Sequence, residues 1–192
     1  MSAIPRAARL IAALDVPDAA QARALAGKLG DAVRFYKIGL ELASSAGYFE
    51  LLGWLASRGN QVFADLKLYD IPETVRRAVA NLRSSGATFL TVHGHRSVME
   101  AAAKEKGAMK ILAVTVLTSF DQRDIEEMRA SKGAPLTVEE LVLFRARGAL
   151  ESGCDGVIAS GHEAARLKAE FGGRLLVVTP GIRPTGADSG DQ

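Results

Sequence analysis

The chain has 192 residues, 48% hydrophobic and 24% charged, the profile of one soluble domain that can bury roughly 70% of its unfolded surface without a disulfide or metal staple. Its 24 Lys and Arg against 22 Asp and Glu leave a formal charge of +2, too balanced for a polyanion binder acting through bulk charge. The single cysteine, Cys154, excludes an internal disulfide and a cysteine-based zinc site, and reads as a half-buried structural thiol.

The first residues lead into a short apolar run without the long apolar core of a signal peptide, and no window approaches the roughly 18 apolar residues of a membrane span. The protein therefore reads as cytoplasmic. Strands are predicted over residues 9–15, 33–38, 61–66, 88–93, 110–117, 156–160 and 175–180. They are almost continuously apolar, as expected of parallel strands covered on both faces. Helical patterns separate them. Val75, Ala78, Val79 and Leu82 recur at helical spacing, with Arg76, Arg77 and Arg83 elsewhere around the wheel. Pro72 and Glu73 suit the first turn of that helix. Between Phe120 and Glu151 two helices are expected, over residues 121–130 and 137–150.

This alternation gives an α/β domain, residues 1–192, with a parallel sheet. Either an open doubly wound sheet or a (β/α)₈ TIM barrel fits it. Nearly every strand finishes in a polar residue: Asp15, Lys37, Asp65 with Lys67, His93, Thr118, Ser160, and Arg183 just past the seventh. A barrel gathers all strand C-termini round one mouth, whereas an open sheet concentrates its site at a switch point. Neither a G-x-G-x-x-G after the first strand nor a phosphate-binding G-x-x-x-x-G-K-[ST] is present. The barrel is favoured, as seven βα-type units with the eighth strand and helix missing. A chain this short is expected to be a C-terminally truncated barrel.

The stretch Asp65-Leu66-Lys67-Leu68-Tyr69-Asp70-Ile71-Pro72-Glu73-Thr74 is the most informative. Alternation along a strand points Asp65 and Lys67 the same way, and Asp70 follows where the chain turns into a helix. A carboxylate on each side favours the ammonium form of Lys67 and orients it. Such a lysine suits proton donation or stabilisation of a forming carbanion better than Schiff-base chemistry. The bland alternatives are a capping box made by Asp70 and Glu73 and a solvated ion pair between Asp65 and Lys67. The placement at a barrel mouth, beside Lys37 and Asp15, favours the chemical reading.

From Leu10 to Gln192 the sequence resembles the bacterial orotidine 5′-phosphate decarboxylase family. The resemblance rests on Ala13-Leu14-Asp15-Val16, Lys37-Ile38-Gly39, the Asp65–Thr74 stretch, Val116-Leu117-Thr118-Ser119 and Thr179-Pro180-Gly181-Ile182-Arg183-Pro184. It implies a decarboxylase without cofactor or metal, working as a homodimer on orotidine 5′-phosphate to give UMP in pyrimidine biosynthesis. Asp15 and Lys37 would hold the ribose hydroxyls, with Lys37 also joined to the catalytic charge network of Asp65, Lys67 and Asp70, and Lys67, flanked by Asp65, would protonate C6 of the pyrimidine. Asp70 and Thr74 would reach the neighbouring subunit's site. Thr118 would meet the pyrimidine edge, and Arg183 and Gln192 would close over the phosphate. A Gly-Arg pair after strand eight, which grips the phosphate in the family, is missing here.

Other residues invite weaker readings. His93 and His95 lack a third imidazole nearby in sequence, so metal binding is not expected; His93 reads as a barrel-mouth residue and His95 as a loop residue. Ser160 lacks a nucleophile elbow and fits a helix N-cap. Tyr48 and Trp54 read as packing residues. The enzyme rivals are a Mg²⁺-dependent sugar-phosphate lyase of the same superfamily and a Schiff-base aldolase. The rival of another class is an inactive fragment with exposed barrel edges.

Overall fold

The computed structural model describes residues 8–117, 119, 123–124 and 137–182. Seven parallel strands lie among them: β1 (Ala12–Ala13), β2 (Phe35–Gly39), β3 (Gln61–Leu68), β4 (Phe89–His93), β5 (Lys110–Val114), β6 (Gly156–Ile158) and β7 (Leu176–Val178). Their order in the sheet is their order in the chain. An open doubly wound sheet reverses direction at a switch point, and this sheet never does. Each strand pairs with its sequence neighbour while helices cover the outside, which is the winding of a (β/α) barrel.

The helices are α1 (Ala19–Leu29), the short α2 (Leu40–Ala43), α3 (Tyr48–Ser57), α4 (Pro72–Leu82), α5 (Arg96–Glu105), α6 (Val138–Glu151) and α7 (Gly161–Phe171). The fourth forms as its pattern predicts. Val75, Val79 and Leu82 are its buried residues, and Pro72 stands in its first turn. Glu73 is held down at about 2 by hydrogen bonds from Arg76 and Arg77, so it serves the helix surface. Thr137 and Glu140 form a capping box at the start of α6, and Ser160 caps α7 by accepting from the His162 amide. The expected helix over 121–130 lies largely outside the described residues.

Several strands are shorter than predicted. The first narrows from 9–15 to Ala12–Ala13, the fifth stops at Val114, and the sixth stops at Ile158. An apolar run persists beyond the last ladder hydrogen bond where the barrel rim still buries it, as at Val116. The third strand errs the other way, running through Lys67 to Leu68.

The period of two along each strand creates two cores. Tyr36, Ile38, Val62, Ala64, Leu90, Val92, Ile111, Ala113 and Val157 face the helices in the larger core. Phe35, Phe63, Phe89, Leu112, Val114 and Ile158 form the smaller core on the opposite face of the sheet. The Phe89 ring centroid lies 4.9 Å from that of Phe35 and 6.0 Å from that of Phe63. These rings fill the barrel floor. Cys154 is buried in the outer core, and burial pushes its thiol up to about 12, which leaves it unreactive as expected. Tyr48 is buried on α3, while Trp54 on the same helix lies between the guanidinium groups of Arg23 and Arg58. No helix among the described residues is long and apolar enough to cross a membrane.

Candidate active site

Two residues past each floor phenylalanine, the same inward alternation delivers a polar group. Phe35 is followed by Lys37, Phe63 by Asp65 and Lys67, and Phe89 by Thr91 and His93. The polar groups therefore meet at the C-terminal mouth of the barrel with an aromatic layer beneath them. Charges above such a floor are shielded from water on one side, which strengthens their interactions.

Four of them form a chain. Asp15 Oδ1 accepts from Lys37 Nζ at 2.8 Å, Lys37 Nζ lies 3.9 Å from Asp65 Oδ2, and Asp65 Oδ2 accepts from Lys67 Nζ at 2.8 Å. Asp65 is buried, so its charge needs these partners. Gly39 ends β2 beside the chain. A Cβ there would stand in ordinary contact with the chain, 3.5 Å from Lys37 Nζ and 4.0 Å from Asp15 Oδ1.

The register of β3 explains how Asp65 and Lys67 come together. Ala64 pairs with Leu90 and Leu68 with Val92, so three residues of β3, Asp65, Leu66 and Lys67, stand opposite Thr91 alone. This bulge bends the strand and re-aims its side chains. Thr91 is fully buried and satisfies both sides of the bulge. Its hydroxyl donates to Asp65 Oδ1 at 2.8 Å and accepts from the Lys67 amide at 2.9 Å. Lys67 itself has φ +45°, the one non-glycine residue in the left-handed region among the described residues. Left-handed backbone costs a non-glycine residue about 1–2 kcal/mol, and such positions cluster at functional sites.

Asp70 departs from the expected flanking of Lys67. Its Oδ1 accepts from the Ile71 amide at 2.6 Å, and Lys67 finds its carboxylate partner in Asp65. The network within this chain is thus Asp15–Lys37–Asp65–Lys67. A capping box does not form either: Ile71 is the N-cap of α4 without a side-chain cap, and Glu73 binds arginines. The physical reason is the direction of the chain after the bulge, which carries Asp70 and Thr74 to exposed positions. Thr118, Arg183 and Gln192 lie outside the described residues.

His93 ends β4 at the mouth. Burial, together with the nearby His95, Arg145 and Lys67, pushes its imidazole below the ordinary value, favouring the neutral ring at neutral pH. His95 is the N-cap residue of α5. Among the described residues, no three His, Cys, Asp or Glu side chains are grouped to hold a metal ion. Sequence reasoning passed over Thr91, which had a signal, since it shares an inward face with His93 two residues on.

The model of the family described as "Orotidine 5'-phosphate decarboxylase / HUMPS family" matches residues 8–192. Orotidine 5'-phosphate decarboxylase of Methylococcus capsulatus is 54% identical over 181 residues, covering 94% of this chain and 73% of that protein. The enzyme of that name from Rhodopseudomonas palustris is 51% identical over 186 residues, covering 96% of this chain and 77% of its own length. Among solved structures, orotidine 5'-phosphate decarboxylase from Lactobacillus acidophilus superposes with a TM-score of 0.82 at 37% identity, over 91% of this chain and 81% of that one. The Methanocaldococcus jannaschii protein, complexed with inhibitor BMP, shares the fold with a TM-score of 0.72 at 23% identity, over 93% of this chain and 79% of its own. Sequence, winding and the position of the charges at the strand ends converge, and the chain belongs to the orotidine 5′-phosphate decarboxylase / HUMPS family.

Proposed function

We propose that this chain decarboxylates orotidine 5′-phosphate to UMP, the last step of de novo pyrimidine synthesis, without a cofactor, in the cytoplasm. The observation that carries the proposal is the Lys67 ammonium, fixed 2.8 Å from Asp65 on a bulge at the barrel mouth, in a chain of this family.

The reaction breaks the bond between C6 and the carboxyl carbon. CO₂ leaves and the electron pair stays on C6, in an orbital the pyrimidine ring delocalises poorly. A preorganised cation at that point stabilises the charge as it develops. The Lys67 ammonium supplies it, then transfers a proton to C6 and becomes a neutral amine that solvent reprotonates. Asp65 orients Lys67 and stands beside the departing carboxylate. Lys37 and Asp15 hold the ribose hydroxyls, and Lys37 also ties Asp15 to the Asp65 charge. Thr118 meets the pyrimidine edge, and Arg183 with Gln192 closes over the phosphate.

Asp70 and Thr74 act in the site of a second copy of the chain, so the working unit is a homodimer. Their exposure supports this reading, as does the apolar surface around them, with Tyr69 60% and Ile71 67% exposed. The test is direct: the purified chain is given orotidine 5′-phosphate, loss of orotate absorbance is followed with and without EDTA, and the product is identified. Turnover to UMP that is indifferent to EDTA is expected. No turnover, coupled with EDTA-sensitive cleavage or decarboxylation of a sugar phosphate, would overturn the proposal in favour of the metal-dependent lyase.

A further inference from the structure

The left-handed backbone at Lys67 needs restraint on both sides, because the residue relaxes to an ordinary conformation unless its neighbours over-determine it. On the N-terminal side Asp65 is tied to Thr91, and Thr91 also takes the Lys67 amide. On the C-terminal side Leu68 pairs with Val92, and Tyr69 then contacts two histidines. Its ring centroid lies 4.9 Å from that of His93 and 5.0 Å from that of His95. Its hydroxyl lies 3.2 Å from His95 Nε2. Thr91, Val92, His93 and His95 thus follow one another along β4 and its continuation, each engaging β3 at or just beyond the bulge.

Within one chain Tyr69 is 60% exposed, so inside the chain its seat is made by the two histidine rings rather than by burial. Aromatic contacts of this kind stabilise the pair beyond the area they bury, and two of them act here against the cost of one left-handed residue. Arg145 of α6 adds a third neighbour on the same rim. Its guanidinium donates to the Thr115 carbonyl, and the phenol lies near enough to bear on its charge.

We propose that Tyr69 is a positioning residue that locks the β3 bulge from its C-terminal side: seated against His93 and His95, it keeps Lys67 in the left-handed conformation and turns Asp70 outward. The catalytic consequence rests on the proposed role of Lys67; the conformational claim does not. Displacing a reacting group by about 1 Å can cost on the order of 100-fold in rate, so a lock of modest energy has a large kinetic effect.

The experiment compares Tyr69→Leu with Tyr69→Phe in the full chain. Crystal structures of both read φ at Lys67 and the distance from Lys67 Nζ to Asp65, and steady-state kinetics with orotidine 5′-phosphate read kcat and KM. In Tyr69→Leu, Lys67 is expected to return to negative φ, with kcat lowered about 10- to 100-fold and KM changed much less. Tyr69→Phe retains the ring contacts, and should keep the left-handed Lys67 and a kcat within about threefold of the parent. His95→Ala removes one side of the seat from a different element and should give an intermediate loss; it serves in place of Tyr69→Leu if that variant does not fold. An unchanged φ at Lys67 in Tyr69→Leu overturns the lock, as does a Tyr69→Phe variant as impaired as Tyr69→Leu. Absence of turnover in the parent chain would remove the proposed reaction and leave the crystallographic comparison to decide the lock.

Discussion

The floor and the mouth of this barrel are built by the same strands, facing the same way, two residues apart. Phe35, Phe63 and Phe89 pack ring against ring below; Lys37, Asp65 and Thr91 stand directly above them. The floor is stabilised by apolar burial, which is non-directional and tolerates small errors of placement. The mouth depends on hydrogen bonds and ion pairs whose energy falls off with distance and angle. The comparison teaches that the lower layer contributes stability, while the upper layer accepts a buried carboxylate and a left-handed lysine for the sake of geometry.

The largest expected effect separates the layers by function. Lys67→Ala should lower kcat by at least about 1,000-fold, since it removes both the cation facing the developing charge and the proton donor, while urea unfolding should stay cooperative, its midpoint lowered only by the partner that buried Asp65 loses. A Lys67→Ala enzyme with the parent kcat would end the distinction. Next comes the converse: Phe63→Ala, a floor residue 3% exposed, should cost about 3–5 kcal/mol in urea unfolding. Turnover per folded molecule should nearly be kept.

Thr91 belongs to both layers and sharpens the boundary. Thr91→Val keeps the volume but leaves Asp65 Oδ1 and the Lys67 amide without their partner. A stability loss of about 1–3 kcal/mol is expected, from leaving buried polar groups unsatisfied, together with a fall in kcat. Retention of both values would show that the bulge holds without its hydroxyl.

The smallest effect concerns pH. The His93 imidazole is pushed below its ordinary value of 6.5 by burial first, then by His95, Arg145 and Lys67. Between the lowered and the ordinary value the unfolded chain binds a proton that the folded chain does not. Stability should therefore fall as pH drops below about 6.5, and His93→Gln should lose less between about pH 7.5 and pH 5 than the parent chain. Equal losses in the two proteins would show that His93 does not carry this dependence.

The βα alternation, the parallel sheet and the amphipathic face of α4 were legible because they depend on local periodicity. The nearness of Asp65 and Lys67 was legible as well, although the bulge rather than plain alternation brings them together. The strand ends were less legible. An apolar run such as residues 110–117 continues past its last ladder bond wherever the rim stays buried. Within one chain Asp70 does not pair with Lys67 but accepts from the Ile71 amide, for a related reason: sequence spacing carries no information about a bulge.

What the sequence by itself determined about this decarboxylase-family enzyme is its βα alternation, its two-sided strands and the set of charges that the strand ends present. Those follow from residue type and period alone. Only the tertiary structure decided the distances at which Lys37 stands between Asp15 and Asp65, that Thr91 stands alone opposite three residues of β3, and that Tyr69 reaches His93 and His95. Each of these depends on the register between strands distant in sequence, and register is set by the packing of the whole sheet rather than by any one segment.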